Sequence, residues 1–215
     1  MSGDETSPAT GILAIFNNVA PGREAEFERW FQTEHLAERI AIPGFVLGRR
    51  YEAVGGRPQY FNYYLTQSPD VLKSGAYLNR LDNPTPMTHI VMSEIFKDMN
   101  RTVCRRAARL GSMRGSIAVV MRFDRSQDEM RLRDAIQEML GKKDAAYGEV
   151  WIAADRRQFP VSEEERLRGG DRKIEALLLV ETLRAAEAEN VGRSLAHLFP
   201  QGAAGIYRLL CEIRP

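Results

Sequence analysis

Two adjacent side chains, Glu34 and His35, hold the most suggestive acid–base chemistry in the chain. They fall in the stretch 23–40, where Phe27, Trp30, Phe31, Ala37 and Ala41 recur at helical spacing and form an apolar stripe. Glu34 sits in the middle of that stripe and His35 on its flank. A carboxylate so placed is desolvated, and its pKa rises unless a cation pairs with it. An imidazole titrates near neutral pH, so the pair could take and return a proton beside a buried substrate. The same residues also fit a plainer role, with Glu34 paired to an arginine and His35 hydrogen-bonded locally.

The next segment carries groups that could complete such a site. Arg49 and Arg50 alternate in facing along a strand, so at most one points inward, where it could neutralise Glu34 or grip a carboxylate or phenolate with two hydrogen bonds. Tyr51, Tyr60, Tyr63 and Tyr64 follow closely. One inward hydroxyl among them, with Tyr63 as the candidate, would make a proton relay beside His35. Trp30 and Tyr51 are candidate walls for a substrate. His89 follows a proline-rich stretch and is a second candidate pocket group, although a loop or helix-cap role suits it as well. His197 falls opposite the apolar face of its helix and reads as solvent-exposed. Cys104 and Cys211 lack His or Cys neighbours at metal-binding spacing and read as free thiols in strands.

The elements that must position these groups follow a regular order. Residues 11–19 read as a buried strand, 23–40 as a helix stopped by Pro43-Gly44, and 45–54 with 59–67 as a hairpin turned at Gly55-Gly56. A helix over 71–81 follows, then a short helix near 88–96 and a closing strand over 101–108. The second half repeats the order: strand 116–123, helix 127–140, strands 148–154 and 173–182, helix 185–199 and strand 205–213. A charged insert, 155–171, separates the two middle strands. Within it Ser162-Glu163-Glu164-Glu165 fits a helix capping box, so a short surface helix is expected there.

The pattern is βαββαβ twice over. It predicts an α+β chain of two ferredoxin-like units, 11–110 and 115–215, after a disordered start over 1–10. Each unit makes a four-stranded antiparallel sheet with helices on one face, and the other face needs a cover. Two such sheets packed together would enclose a barrel-like interior with room for a small ligand. The first unit holds nearly all the reactive side chains, whereas the second, with its Ala176–Val180 stretch of aliphatic residues, reads as mainly structural.

Bulk properties exclude several classes. Thirty basic and 29 acidic residues leave a net charge of +1, which gives no long-range attraction for nucleic acid or for an anionic membrane. No apolar run approaches the ~20 residues that span a bilayer. The polar start lacks a secretory leader, which predicts a cytoplasmic protein. There is no phosphate-binding glycine loop, nucleophile elbow or paired Cys-x-x-Cys.

The run from Phe27 through Trp30, Phe31, Glu34, His35 and Ala37, followed by Pro43-Gly44-Phe45 and Arg50-Tyr51, resembles the EthD-like branch of the dimeric α/β-barrel superfamily. The likeness is good over 10–67, looser over 68–110, and rests on element order alone in the second half. It implies a ferredoxin-like fold and a cavity between sheet and helices; the family usually forms its barrel from two chains, and the two tandem units here suggest that it closes within one. It brings His35 forward as the pocket histidine through the Trp-x4-His spacing. Relatives include monooxygenases, decarboxylases, cyclases and isomerases that act on hydrophobic ring-bearing molecules without a cofactor. Others bind haem, which would make His35 or His89 an axial ligand. Family members commonly associate, and an open edge strand would offer a route to a homodimer.

Overall fold

A computed structural model describes residues 9–215. Of the disordered start expected over 1–10, residues 1–8 lie outside the described residues, whereas Thr10 is ordered, its amide donating to the Gln67 carbonyl at 3.1 Å and its carbonyl accepting from the Arg106 amide at 2.7 Å. The strands are β1 (Gly11–Val19), β2 (Phe45–Ala53), β3 (Tyr60–Thr66), β4 (Phe96–Gly111), β5 (Ile117–Phe123), β6 (Tyr147–Ala153), β7 (Ala176–Thr182) and β8 (Ala203–Ile213). They close into one antiparallel barrel in the order β1-β3-β2-β8-β5-β7-β6-β4, with β4 returning to β1. Within each half the sheet runs fourth, first, third, second strand. The two sheets join where β2 pairs β8 and β4 pairs β6.

Closure removes every strand edge, so the edge route to a homodimer is not available. Strand alternation then sorts side chains into three cores. Along β1, Ile12, Ala14 and Phe16 point into the barrel, while Leu13 and Ile15 point out under the helices of the first half. A third core lies under α5 (Glu129–Gly141) and α7 (Ala185–Leu198) in the second half.

The barrel interior is not the ligand space that packed sheets suggested. Phe16, Tyr51, Phe61, Tyr63, Trp151 and Tyr207 fill it, with Phe16 and Phe61 stacked at 4.7 Å and Tyr63 against Trp151 at 4.9 Å. An eight-stranded barrel is just wide enough for its own side chains, and here large aromatic ones occupy it.

The first helix is broken in register. It runs as α1 (Glu24–Trp30), a wide π turn (Phe31–His35) and α2 (Leu36–Ile40). A π turn inserts one extra residue into the helical repeat. Every later position is therefore rotated by about 100° from where a continuous helix would put it. The expected stripe fails from this point: Ala37 and Ala41 are exposed, while His35, Arg39 and Ile40 are buried.

The following helices are shorter than expected. The stretch after β3 divides into a 3-10 turn, Pro69–Lys73, and α3 (Gly75–Asp82), which is capped by Ser74 accepting from the Tyr77 amide at 3.3 Å. Next comes α4 (Pro86–Ile90), with Thr85 as its cap and proline at its first turn, running into a second π turn over Val91–Ile95. In the charged insert, Ser162 caps α6 (Glu163–Leu167) as the capping-box pattern predicts, accepting from the Glu165 amide at 3.3 Å. That helix is not a free surface element. Its Glu164 is buried, and α6 packs against α3 and the second π turn.

Candidate functional site

Between the outer face of the first sheet and its helices lies a cavity of about 30 Å³. His35 and Arg39 reach it from the first helix because the π turn rotates both toward the sheet. Asn62 and Tyr64 reach it from β3, two residues apart and thus on one face. Tyr64 lies across from Gly48 in register, and a Cβ on Gly48 would come within 3.0 Å of its ring. The absent side chain makes room for the tyrosine.

Four buried polar atoms among these residues have no hydrogen-bond partner: His35 Nδ1, Arg39 Nη1, Asn62 Oδ1 and Tyr64 Oη. Buried polar groups are nearly always paired, and each orphan costs about 1–3 kcal/mol. Four of them on one cavity mark a place where something polar belongs.

The electrostatics favour an anion. Arg39, Arg101 and Arg168 line the cavity. Against them stand Glu164, paired to Arg39, and Asp171, which holds Arg168 through two hydrogen bonds of 2.8 and 2.9 Å. Three guanidinium groups therefore face two carboxylates. Arg101 makes its hydrogen bond to the hydroxyl of Tyr77. Burial first, then the nearby Arg39, Arg80 and Arg168 charges, hold the His35 imidazole well below its ordinary pKa of 6.5, so it is neutral near pH 7. The Trp30 ring packs against it at 4.2 Å, tilted by 34°, and the Trp30 indole donates to Thr88 at 3.0 Å.

The remaining expected site residues lie elsewhere. Glu34 is half-buried on the outer side of the helix, where it accepts from the Thr85 and Thr88 hydroxyls. Burial alone would raise its pKa, but those hydrogen bonds leave it below the usual carboxylate value. Arg50 lies on the helix side of β2, spent on Glu28 through hydrogen bonds of 2.5 and 2.6 Å and packed 4.1 Å over the Phe31 ring. Arg49, Tyr51 and Tyr63 point the other way, into the barrel. There Glu181 accepts from Arg49 at 2.5 Å and from Tyr51 at 3.1 Å, and Arg114 donates to Tyr63 at 2.6 Å. Tyr63 and His35 are thus on opposite faces of the sheet and form no relay. His89 is exposed at the end of α4.

The sequence offered Tyr64 only as one of four tyrosines of which one could face His35; it did not point to Arg39, Asn62 or Arg101 as site residues, nor to Glu164 and Arg168 from the second half. The capping box at Ser162 was the one signal that an ordered helix sat in the insert.

The haem alternative can be tested against these walls. His35 is wedged between Trp30 and Phe31 over a cavity of about 30 Å³, walled by Leu13, Ile15 and Met92. Pockets for sizeable organic ligands run to about 300–1,000 Å³. The residues do not fit a haem at His35, and exposed His89 does not line this cavity.

No protein-family model matches the chain, and no curated protein matches it in sequence. Its backbone is nevertheless similar along nearly its whole length to solved structures. One is an anthrone oxidase-like protein, with TM-score 0.60, 10% identity, and coverage of 97% of this chain and 94% of that one. Another is a provisionally assigned monooxygenase from Fusobacterium nucleatum subsp. nucleatum, with TM-score 0.57, 9% identity, and coverage of 96% and 95%. A third is a provisionally assigned chlorite dismutase, with TM-score 0.56, 12% identity, and coverage of 94% and 96%. At such identities the likeness shows the fold: the chain is a dimeric α/β-barrel, closed here within a single chain.

Proposed function

We propose that the chain is a small-molecule enzyme that binds an oxygen-bearing acid or phenol and moves a proton on it with His35. The observation that carries this reading is the set of four unpartnered polar atoms around one cavity, with one guanidinium in excess. The resemblance of residues 27–51 to the EthD-like branch supports the same reading, as do the oxidase-like and monooxygenase names of the structural neighbours.

The step follows from the groups present. A carbonyl or hydroxyl oxygen of the substrate enters between Arg39 and Tyr64, each of which has a donor free for it. The neutral His35 takes a proton from the carbon next to the held carbonyl, or from the held hydroxyl itself. In the first case the C–H electron pair passes to the carbonyl oxygen and gives an enolate; in the second the pair stays on the oxygen and gives a phenolate. Arg39 and the Tyr64 hydroxyl stabilise either anion. Return of the proton from His35 to another position completes a tautomerisation with no further reactant. Asn62 Oδ1 can only accept, so it meets a hydroxyl of the substrate and not the held oxygen. Glu34 acts only indirectly, by fixing Thr85 and Thr88 behind Trp30.

Formate, the smallest carboxylate, is the probe that tests the site. Titration should shift the His35 ring resonances, raise its pKa and saturate, and Tyr64→Phe should weaken the binding about tenfold, the effect of one hydrogen bond to a charged group. A His35 signal indifferent to formate would overturn the reading.

A further inference from the structure

The cavity beside His35 has a neighbour. Across Arg101, which lines both, lies a recess of about 160 Å³ between β4 and the insert of the second half. Its walls are Val103 and Ala154 on the sheet side, and Phe159, Pro160 and Val161 on the insert side. An apolar cavity of about 150 Å³ is enough to take up benzene. The first cavity is too small for a ring, and the second is the right size for one ring.

We propose that the two spaces are one substrate site, built for a single-ring aromatic acid. This rests on the function proposed above and names the substrate class for it. The ring lies in the recess, and the acid group passes Arg101 into the cavity to meet Arg39, Tyr64 and His35. Arg101 suits the junction. Its hydrogen bond to the neutral Tyr77 hydroxyl gives up little when the guanidinium turns to pair with an incoming carboxylate. The same geometry excludes large fused ring systems, since the recess holds only about 160 Å³ and the Glu165–Lys173 ion pair, at 3.1 Å, is part of its lining. The insert, unmatched in the first half, is what creates the recess.

Binding of formate, benzoate and anthracene-9-carboxylate to the wild-type protein tests this, followed by NMR on His35 and on the Val103 and Ala154 methyl groups. Benzoate should bind about 10- to 100-fold tighter than formate, the effect of burying one ring. It should shift His35 and both methyl groups together. The three-ring acid should lose that gain. Ala154→Phe, placed at a half-buried position, should abolish the benzoate advantage and leave formate binding unchanged. Formate binding with no gain for benzoate would overturn the joined site while leaving the proton-transfer reading intact. Benzoate shifting the methyl groups but not His35 would also overturn it. Failure of formate to reach His35 would remove the underlying function instead.

Discussion

His35 is buried, neutral and without a partner for Nδ1, and these properties have a stability cost that pH reveals. Its folded pKa lies below the unfolded value of about 6.5, so the unfolded chain binds the extra proton first. The contribution is intact above about pH 6.5. It is lost as pH falls toward the folded pKa, by up to about 1.4 kcal/mol per pH unit. Denaturant midpoints at pH 7.5 and 5.5 should therefore fall further in the wild type than in His35→Gln. Equal falls would mean that His35 ionises freely. Tyr64 gives the complementary case. Deleting its unpaired hydroxyl in Tyr64→Phe should stabilise the ligand-free protein by about 1 kcal/mol while weakening formate binding. His35 was legible from the Trp-x4-His spacing, whereas Tyr64 was legible only as one of four candidate tyrosines. Strand β3 is aromatic and buried on both faces, so alternation gives no sign of which face meets the helix.

The elements explain why the site is where it is. A continuous helix through 24–40 would have placed Glu34 toward the sheet; the π turn substitutes His35 and, one turn on, Arg39. Nothing in residue types alone announces a π turn, because it is held by tertiary packing, and so the buried stripe was readable only up to Phe31. The insert helix is the opposite case: its capping box was plain in sequence, its burial was not. Ser162→Ala should cost about 1 kcal/mol. Because α6 carries Glu164 to the cavity, hydrogen exchange should quicken over residues 163–168 and not in α5 or α7. Uniform quickening would place the insert in the global folding unit.

At the scale of the whole molecule, the order of strands and helices was legible because apolar runs and Pro-Gly breaks mark each one. Two sheets could be inferred from that order, but not which side of them would be hollow. That depended on the volumes of six aromatic side chains meeting inside the barrel. The seams between the halves also carry charge. Glu181, fully buried, accepts from Arg49 on β2, from Arg114 at 2.8 Å and from the Gly115 amide at 2.9 Å. Glu181→Gln leaves Arg49 with Glu212 at 3.1 Å and Arg114 with Glu149 at 3.9 Å as their remaining counter-charges, and should destabilise by about 3 kcal/mol. Because β2 pairs β8 and β4 pairs β6, unfolding should remain a single transition by near- and far-ultraviolet circular dichroism. Two separate transitions would show halves that fold independently.

Of the four unpaired groups, the Arg39 guanidinium and the Tyr64 hydroxyl are the donors that await a substrate oxygen beside His35. A crystal structure determined in the presence of formate tests this most directly. A carboxylate is expected between Arg39 and Tyr64, within hydrogen-bond reach of His35. Density for ordered waters alone, satisfying all four groups while formate stays out, would make the cavity a hydration site and contradict the claim.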